Sequence, residues 1–153
     1  MSSESINTEF VVKAAAYCST SEHCVSEVTD KLQKWGAEQC DIDTIIKYLC
    51  EEQYIDEHRY CKAFVNDKLR FAKWGRRKIT YMLSAKHVDK KALAEALDAI
   101  DEDLYMSILT DLLRTKLRSL RSVAPEQQKL KLYSFAASRG FESYAISAAI
   151  KQL

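Results

Sequence analysis

The residues of this 153-residue chain best placed to do chemistry are cations. Lys68, Arg70, Lys73, Arg76, Arg77, Lys78 and Lys86 crowd one short stretch. Arg76, Arg77 and Lys78 are consecutive and follow Gly75, and Ile79, Met82 and Leu83 behind them share one face of a helix. The three cations therefore fall in a first helical turn, where positive charge opposes the macrodipole. Backbone N–H groups are also unpaired there and attract an anion. Both facts fit a docked anion, either a phosphate or a partner's carboxylates; the blander expectation is a solvated basic face. Residues 114–131 add a second, smaller patch: Arg114, Lys116, Arg118, Arg121, Lys129 and Lys131 against Glu126 alone. It fits the wet side of an amphipathic helix as well as it fits a contact.

Other chemistries find little support. Three scattered glycines make neither a GxGxxG nor a Walker loop, and HExxH is absent. His23 and Cys24 are neighbours, so on a helix their side chains point about 100° apart and do not form a base–nucleophile pair. His58 and Cys61 could share a metal across one helical turn, but no second ligand pair stands at suitable spacing. The five cysteines, Cys18, Cys24, Cys40, Cys50 and Cys61, include no CxxC and read as reduced thiols. The expectation is no catalytic residue, no metal and no cofactor.

Charge is segregated. Residues 1–58 carry 4 Lys+Arg against 12 Asp+Glu, residues 59–91 carry 11 against 2, and residues 92–153 carry 8 against 8, although the whole chain nets +1. The middle third suits an acidic partner or nucleic acid; the acidic first third is expected not to bind DNA. No apolar run reaches membrane-spanning length, and the N-terminus lacks the pattern of a secretory signal, so a cytoplasmic protein is expected.

The elements that must position these cations are helices. Only three Gly and one Pro are present, and no segment alternates like a strand. Cys61, Val65, Leu69 and Ala72 recur at helical spacing with Phe64 and Phe71 flanking them; Asp56 caps that helix, and Lys73-Trp74-Gly75 joins it to the next. A motif then recurs at a period of about fifty residues. Leu32-x-x-Trp35-Gly36, Leu83-x-x-Lys86-His87 and Ala136-x-x-Arg139-Gly140 correspond, each followed by an apolar residue and an acidic cap: Cys40-Asp41, Val88-Asp89 and Phe141-Glu142. Aliphatics follow at Ile45, Leu93 and Ile146, then at Leu49, Leu97 and Ile150, which are expected to be buried equivalents. The predicted fold is all-α: three tandem three-helix repeats in a short curved solenoid, whose units bury their apolar faces by stacking. Residues 1–7 form a loose tail, 8–55 the acidic repeat 1, 56–101 the basic repeat 2, and 102–153 repeat 3, whose last pair of helices is separated from its long first helix by Pro125 at an N1 position.

The middle unit resembles the RecX family. Tyr54-Ile55-Asp56-Glu57, Tyr60, Phe64-Val65, Lys68, Arg70, Gly75-Arg76-Arg77-Lys78-Ile79 and Leu83-Ser84-Ala85-Lys86-His87-Val88 follow its pattern in order and spacing. Glu57 departs mildly from an Asp, and His87 stands where the family usually has Gly, at a turn expected to be left-handed. The resemblance implies a cytoplasmic, monomeric, non-enzymatic protein that binds the RecA–DNA filament and mainly inhibits its ATP turnover and strand exchange. Lys68, Arg70, Lys73, Arg76, Arg77, Lys78 and Lys86 would then form the contact with RecA or with single- or double-stranded DNA. A nucleic-acid-binding helical module and a helical scaffold without a DNA role are the alternatives.

Overall fold

The computed structural model describes residues 8–153, and the expected tail at 1–7 lies outside the described residues. Among the described residues the chain forms nine α-helices and no strand. These are α1 (Thr8–Thr20), α2 (Val25–Lys34), α3 (Gln39–Glu51), α4 (Glu57–Asp67), α5 (Arg76–Ala85), α6 (Lys90–Asp98), α7 (Glu102–Arg118), α8 (Pro125–Ser138) and α9 (Ser143–Lys151), with a π-helical turn at Lys68–Ala72 after α4. They group by threes into tandem helical repeats.

Local chemistry sets most helix ends. The carboxylates of Asp56, Asp89 and Asp101 accept backbone N–H bonds at the N-termini of α4, α6 and α7, and Pro125 opens α8. Helices α2, α5 and α8 end in one motif. The N–H of Ala37, Val88 and Phe141 returns to the carbonyl of Leu32, Leu83 and Ala136, with Gly36, His87 and Gly140 left-handed between them. This satisfies carbonyls that a helix end leaves unpaired. His87 takes φ 57°, as the missing glycine requires.

The same bonds correct the expected register of repeat 1. Val88 and Phe141 correspond to Ala37, not Cys40, which is exposed; the N-caps Asp89 and Glu142 correspond to Glu38, not Asp41, which lies inside α3. Four residues on, Ile42, Leu93 and Ile146 are the equivalent buried positions, at 2%, 9% and 0% exposure. Leu49 is buried, but Leu97 and Ile150 are only partly so. A shift of three residues turns a helix by only about 60° from the same face, so apolar spacing did not reveal the slip.

The core is divided as well. Val28, Leu32, Ile42, Ile45, Leu49 and Ile55 form the centre of repeat 1, whereas one continuous cluster runs from Cys61, Ile79 and Leu83 to Tyr105, Phe141 and Ile146 through repeats 2 and 3. Repeat 1 sends Cys24 into that second cluster and is otherwise tied to repeat 2 by polar bridges. Glu57 accepts from the Val25 N–H of α2 through one oxygen (2.9 Å) and from the Asp89 N–H through the other (2.7 Å). Arg59 pairs with Glu22 at 2.8 Å.

Candidate interaction surface

The basic stretch spans the end of α4, the π-turn, the link Lys73–Gly75 and α5. Within the π-turn Leu69 is buried, and Lys73 then adopts φ 60°. Trp74 packs against the shared core and meets Phe64 with ring centroids 6.4 Å apart. The ammonium of Lys68 lies 5.1 Å and that of Lys78 4.6 Å from the Trp74 ring centre, so both are held by cation–π attraction. Arg70 Nε donates to Asn66 and Lys73 Nζ to the Arg70 carbonyl, each at 2.6 Å. Arg77 is exposed and makes no side-chain hydrogen bond or ion pair among the described residues.

Arg76 is placed differently from the expectation of a free surface cation. Its guanidinium lies 3.9 Å from the Tyr105 ring centre, pairs with Glu102 at 2.7 Å and Glu142 at 3.1 Å, and donates to the Tyr144 hydroxyl at 3.0 Å. Burial pulls its pKa down, but the bonds to Glu102, Glu142 and Tyr144 together carry it above the ordinary arginine value. Its bond likewise holds the Glu102 carboxyl below the usual range. The anion expected at this helix start is thus the protein's own.

The first of the free N–H groups expected there are also taken. The Arg76 N–H donates to the Tyr105 hydroxyl (2.9 Å), the Arg77 N–H to the Gly140 carbonyl (2.9 Å), and the Gly75 N–H to the Arg139 carbonyl (2.7 Å). The C-terminal carbonyls of α8 face the N-terminus of α5, a favourable match of partial charges. Glycines allow the approach: a Cβ on Gly75 would sit 2.5 Å from the Gly140 carbonyl, and one on Gly140 would strike Lys78. The start of α5 therefore lies in the junction between repeats 2 and 3.

Lys86 also turns inward. Its ammonium pairs at 2.9 Å with Glu27 of α2, which accepts from Tyr60 (3.1 Å) and contacts His23 (3.0 Å) as well. Burial pushes the Glu27 carboxyl up, yet bonds from Lys86, His23 and Tyr60 more than offset it and hold it below the usual range. The Lys86 ammonium is raised by the same bond. His58 pairs with Glu95 at 3.0 Å, whereas Cys61 is buried and burial raises its thiol to about 11.

The second patch divides. Lys116 and Lys131 line a shallow groove with Phe135 and Leu130, whereas Arg114, Arg118 and Arg121 line another with Gln128 and Leu153; Lys129 is exposed and borders neither. The Lys116 ammonium and the Arg139 guanidinium lie 5.0 Å and 4.8 Å from the Phe135 ring centre. Arg139, which sequence patterning marks only as a turn residue, also donates to the Ala72 carbonyl at 3.3 Å and so leads from this groove to the π-turn. Its place across 67 residues of sequence left no local signal.

Comparisons with known proteins agree on one family. A model described as RecX, second three-helix domain, matches residues 56–97, and one described as RecX, third three-helix domain, matches residues 103–150. A regulatory protein RecX of Clostridium botulinum (strain Eklund 17B / Type B) is 34% identical over 128 residues, 82% of this chain and 59% of that protein. One from Clostridium beijerinckii is 30% identical, covering 83% of this chain and 60% of the relative, so the chain spans about 60% of the length of these clostridial relatives. One from Chlorobium phaeobacteroides is 27% identical over 86% of this chain and 85% of its own length. In fold the chain is similar to the crystal structure of RecX from Lactobacillus salivarius, with a TM-score of 0.86, 21% identity and 95% of each chain covered.

Proposed function

The chain belongs to the RecX family, and on that premise we propose that it is a regulator that binds the RecA–DNA filament and mainly inhibits its ATPase and strand exchange during recombination and repair. It acts in the cytoplasm as a monomer, by contact and not by catalysis. Lys68, Arg70, Lys73, Arg77 and Lys78 carry the contact, and Arg76 and Lys86 hold the repeats that present them. The observation that supports this most is the pair of lysine ammoniums fixed on the Trp74 ring. Cations held in place lose little side-chain freedom on binding an acidic surface.

The test is RecA ATPase on single-stranded DNA with and without this protein, beside binding of naked DNA. Arg77→Glu combined with Lys78→Glu should abolish most of the inhibition, and wild-type binding should weaken as salt rises. Inhibition that survives the double variant while naked-DNA binding disappears would make the patch a DNA handle, the alternative function for this surface. Wild-type protein that leaves RecA untouched would remove the proposal.

A further inference from the structure

Phe71 is the most exposed large apolar residue among the described residues, at 76%, and it sits in the middle of the basic stretch. Single exposed apolar side chains are ordinary, but the backbone around this one is not. In an uninterrupted α4, Phe71 would lie seven residues after Phe64 and share its face, which packs against the core. The π-turn Lys68–Ala72 breaks that register. A π-turn fits about one extra residue into a turn, so residues along it fall progressively behind a continued α-helix, by up to about 100° at its end, and Phe71 is its fourth residue. Phe71 is thereby swung off Phe64's face into solvent, and Ala72, Lys73 and Trp74 close the segment behind it.

The segment is also strained and tied down. Lys73 holds a left-handed backbone that a lysine tolerates poorly. The Trp74 N–H bonds the Lys68 carbonyl at 3.0 Å, and Arg139 holds the Ala72 carbonyl. A rare turn, a left-handed lysine and an aromatic ring with no ring or cation contact among the described residues coincide at one place. Strain of this sort persists where the surrounding structure enforces it, and it gathers at contact sites.

Resting on the regulator function proposed above, we infer that Phe71 is the apolar anchor of the filament contact, inserting into an acid-rimmed apolar pocket on the recombinase protein itself. A phenyl ring with an arginine beside it has the composition of the core of a protein interface, and the surrounding lysines suit its polar rim. Stacking on bases fits less well. A single-strand track needs successive open rings, and the neighbouring Trp74 is already covered by the Lys68 and Lys78 ammoniums.

The experiment compares full-length wild type, Phe71→Ala, Phe71→Leu and Phe71→Trp for inhibition of RecA ATPase on poly(dT), for binding to poly(dT) alone, and for melting. Phe71→Ala should raise the half-inhibitory concentration at least about tenfold, with melting and naked poly(dT) binding unchanged. Phe71→Leu should stay within about threefold of wild type, because a pocket accepts an aliphatic side chain of similar size. Inhibition by Phe71→Ala equal to wild type overturns the anchor. Loss of naked poly(dT) binding in both Ala and Leu variants, restored by Trp, overturns it in favour of base stacking. A wild-type protein that neither binds nor inhibits the filament overturns the regulator function and this inference with it.

Discussion

Reversing charge at Arg76 and at Arg77 should have unequal consequences for stability, although the two are adjacent cations in one helical turn. Arg77 is exposed and unpaired among the described residues, so Arg77→Glu should change stability by about 0.5 kcal/mol or less. Arg76 is only 20% exposed and holds Glu142, itself 25% exposed, and Glu102, which is 52% exposed. Breaking a fully buried pair costs about 3–5 kcal/mol. Here the Glu142 arm merits part of that, the half-exposed Glu102 arm about 1 kcal/mol at most, and the stack on Tyr105 about 0.5–1 kcal/mol. A glutamate at 76 also adds repulsion from both carboxylates. Arg76→Glu should thus cost about 3 kcal/mol, which for a chain of this size lowers the melting temperature by about 6–12 °C. Arg76→Met, which keeps the packed stem, should cost less. Circular-dichroism melts at 0.15 M and 0.5 M salt decide the matter, with the Arg76→Glu deficit narrowing as salt screens the exposed arm. If Arg76→Glu melts within a degree of wild type, the junction between repeats 2 and 3 does not depend on this network.

Three further outcomes are expected. Glu27 is held below the usual carboxylate range, so its stabilisation is fully present above its unfolded value of about 4.3 and is lost as pH falls through the lower folded value; between pH 6 and pH 3 the urea midpoint of Glu27→Gln should fall less than that of wild type, and an equal fall would contradict the assignment. Cys40 is exposed whereas burial raises the Cys18 and Cys61 thiols to about 11, so timed alkylation at pH 7.5 and then peptide mass spectrometry should find Cys40 modified well before either. Gly75→Ala would put a Cβ 2.5 Å from the Gly140 carbonyl and should destabilise by about 1–3 kcal/mol or more by forcing repeats 2 and 3 apart, whereas a Gly75→Ala protein with a wild-type melt would show that the junction is loose.

What the sequence determined by itself were the features written into a few neighbouring residues. Helix starts at Asp56, Asp89 and Pro125, the left-handed turns at Gly36, His87 and Gly140, and the segregation of charge were all legible, because a cap or turn is made by groups within about five residues of one another. The threefold repeat emerged from them. Tertiary structure decided the rest. It set the register of repeat 1, since a three-residue slip keeps an amphipathic helix on nearly the same face and only the Ala37 to Leu32 backbone bond settles it. It exposed Phe71, because one extra residue accommodated in a π-turn rotates the helix without altering its hydrophobic pattern. And it separated Arg76 from Arg77. Their charge was evident in the chain, but charge acts through space, and the carboxylates that claim Arg76 lie 26 and 66 residues away until folding brings them within 2.7 and 3.1 Å.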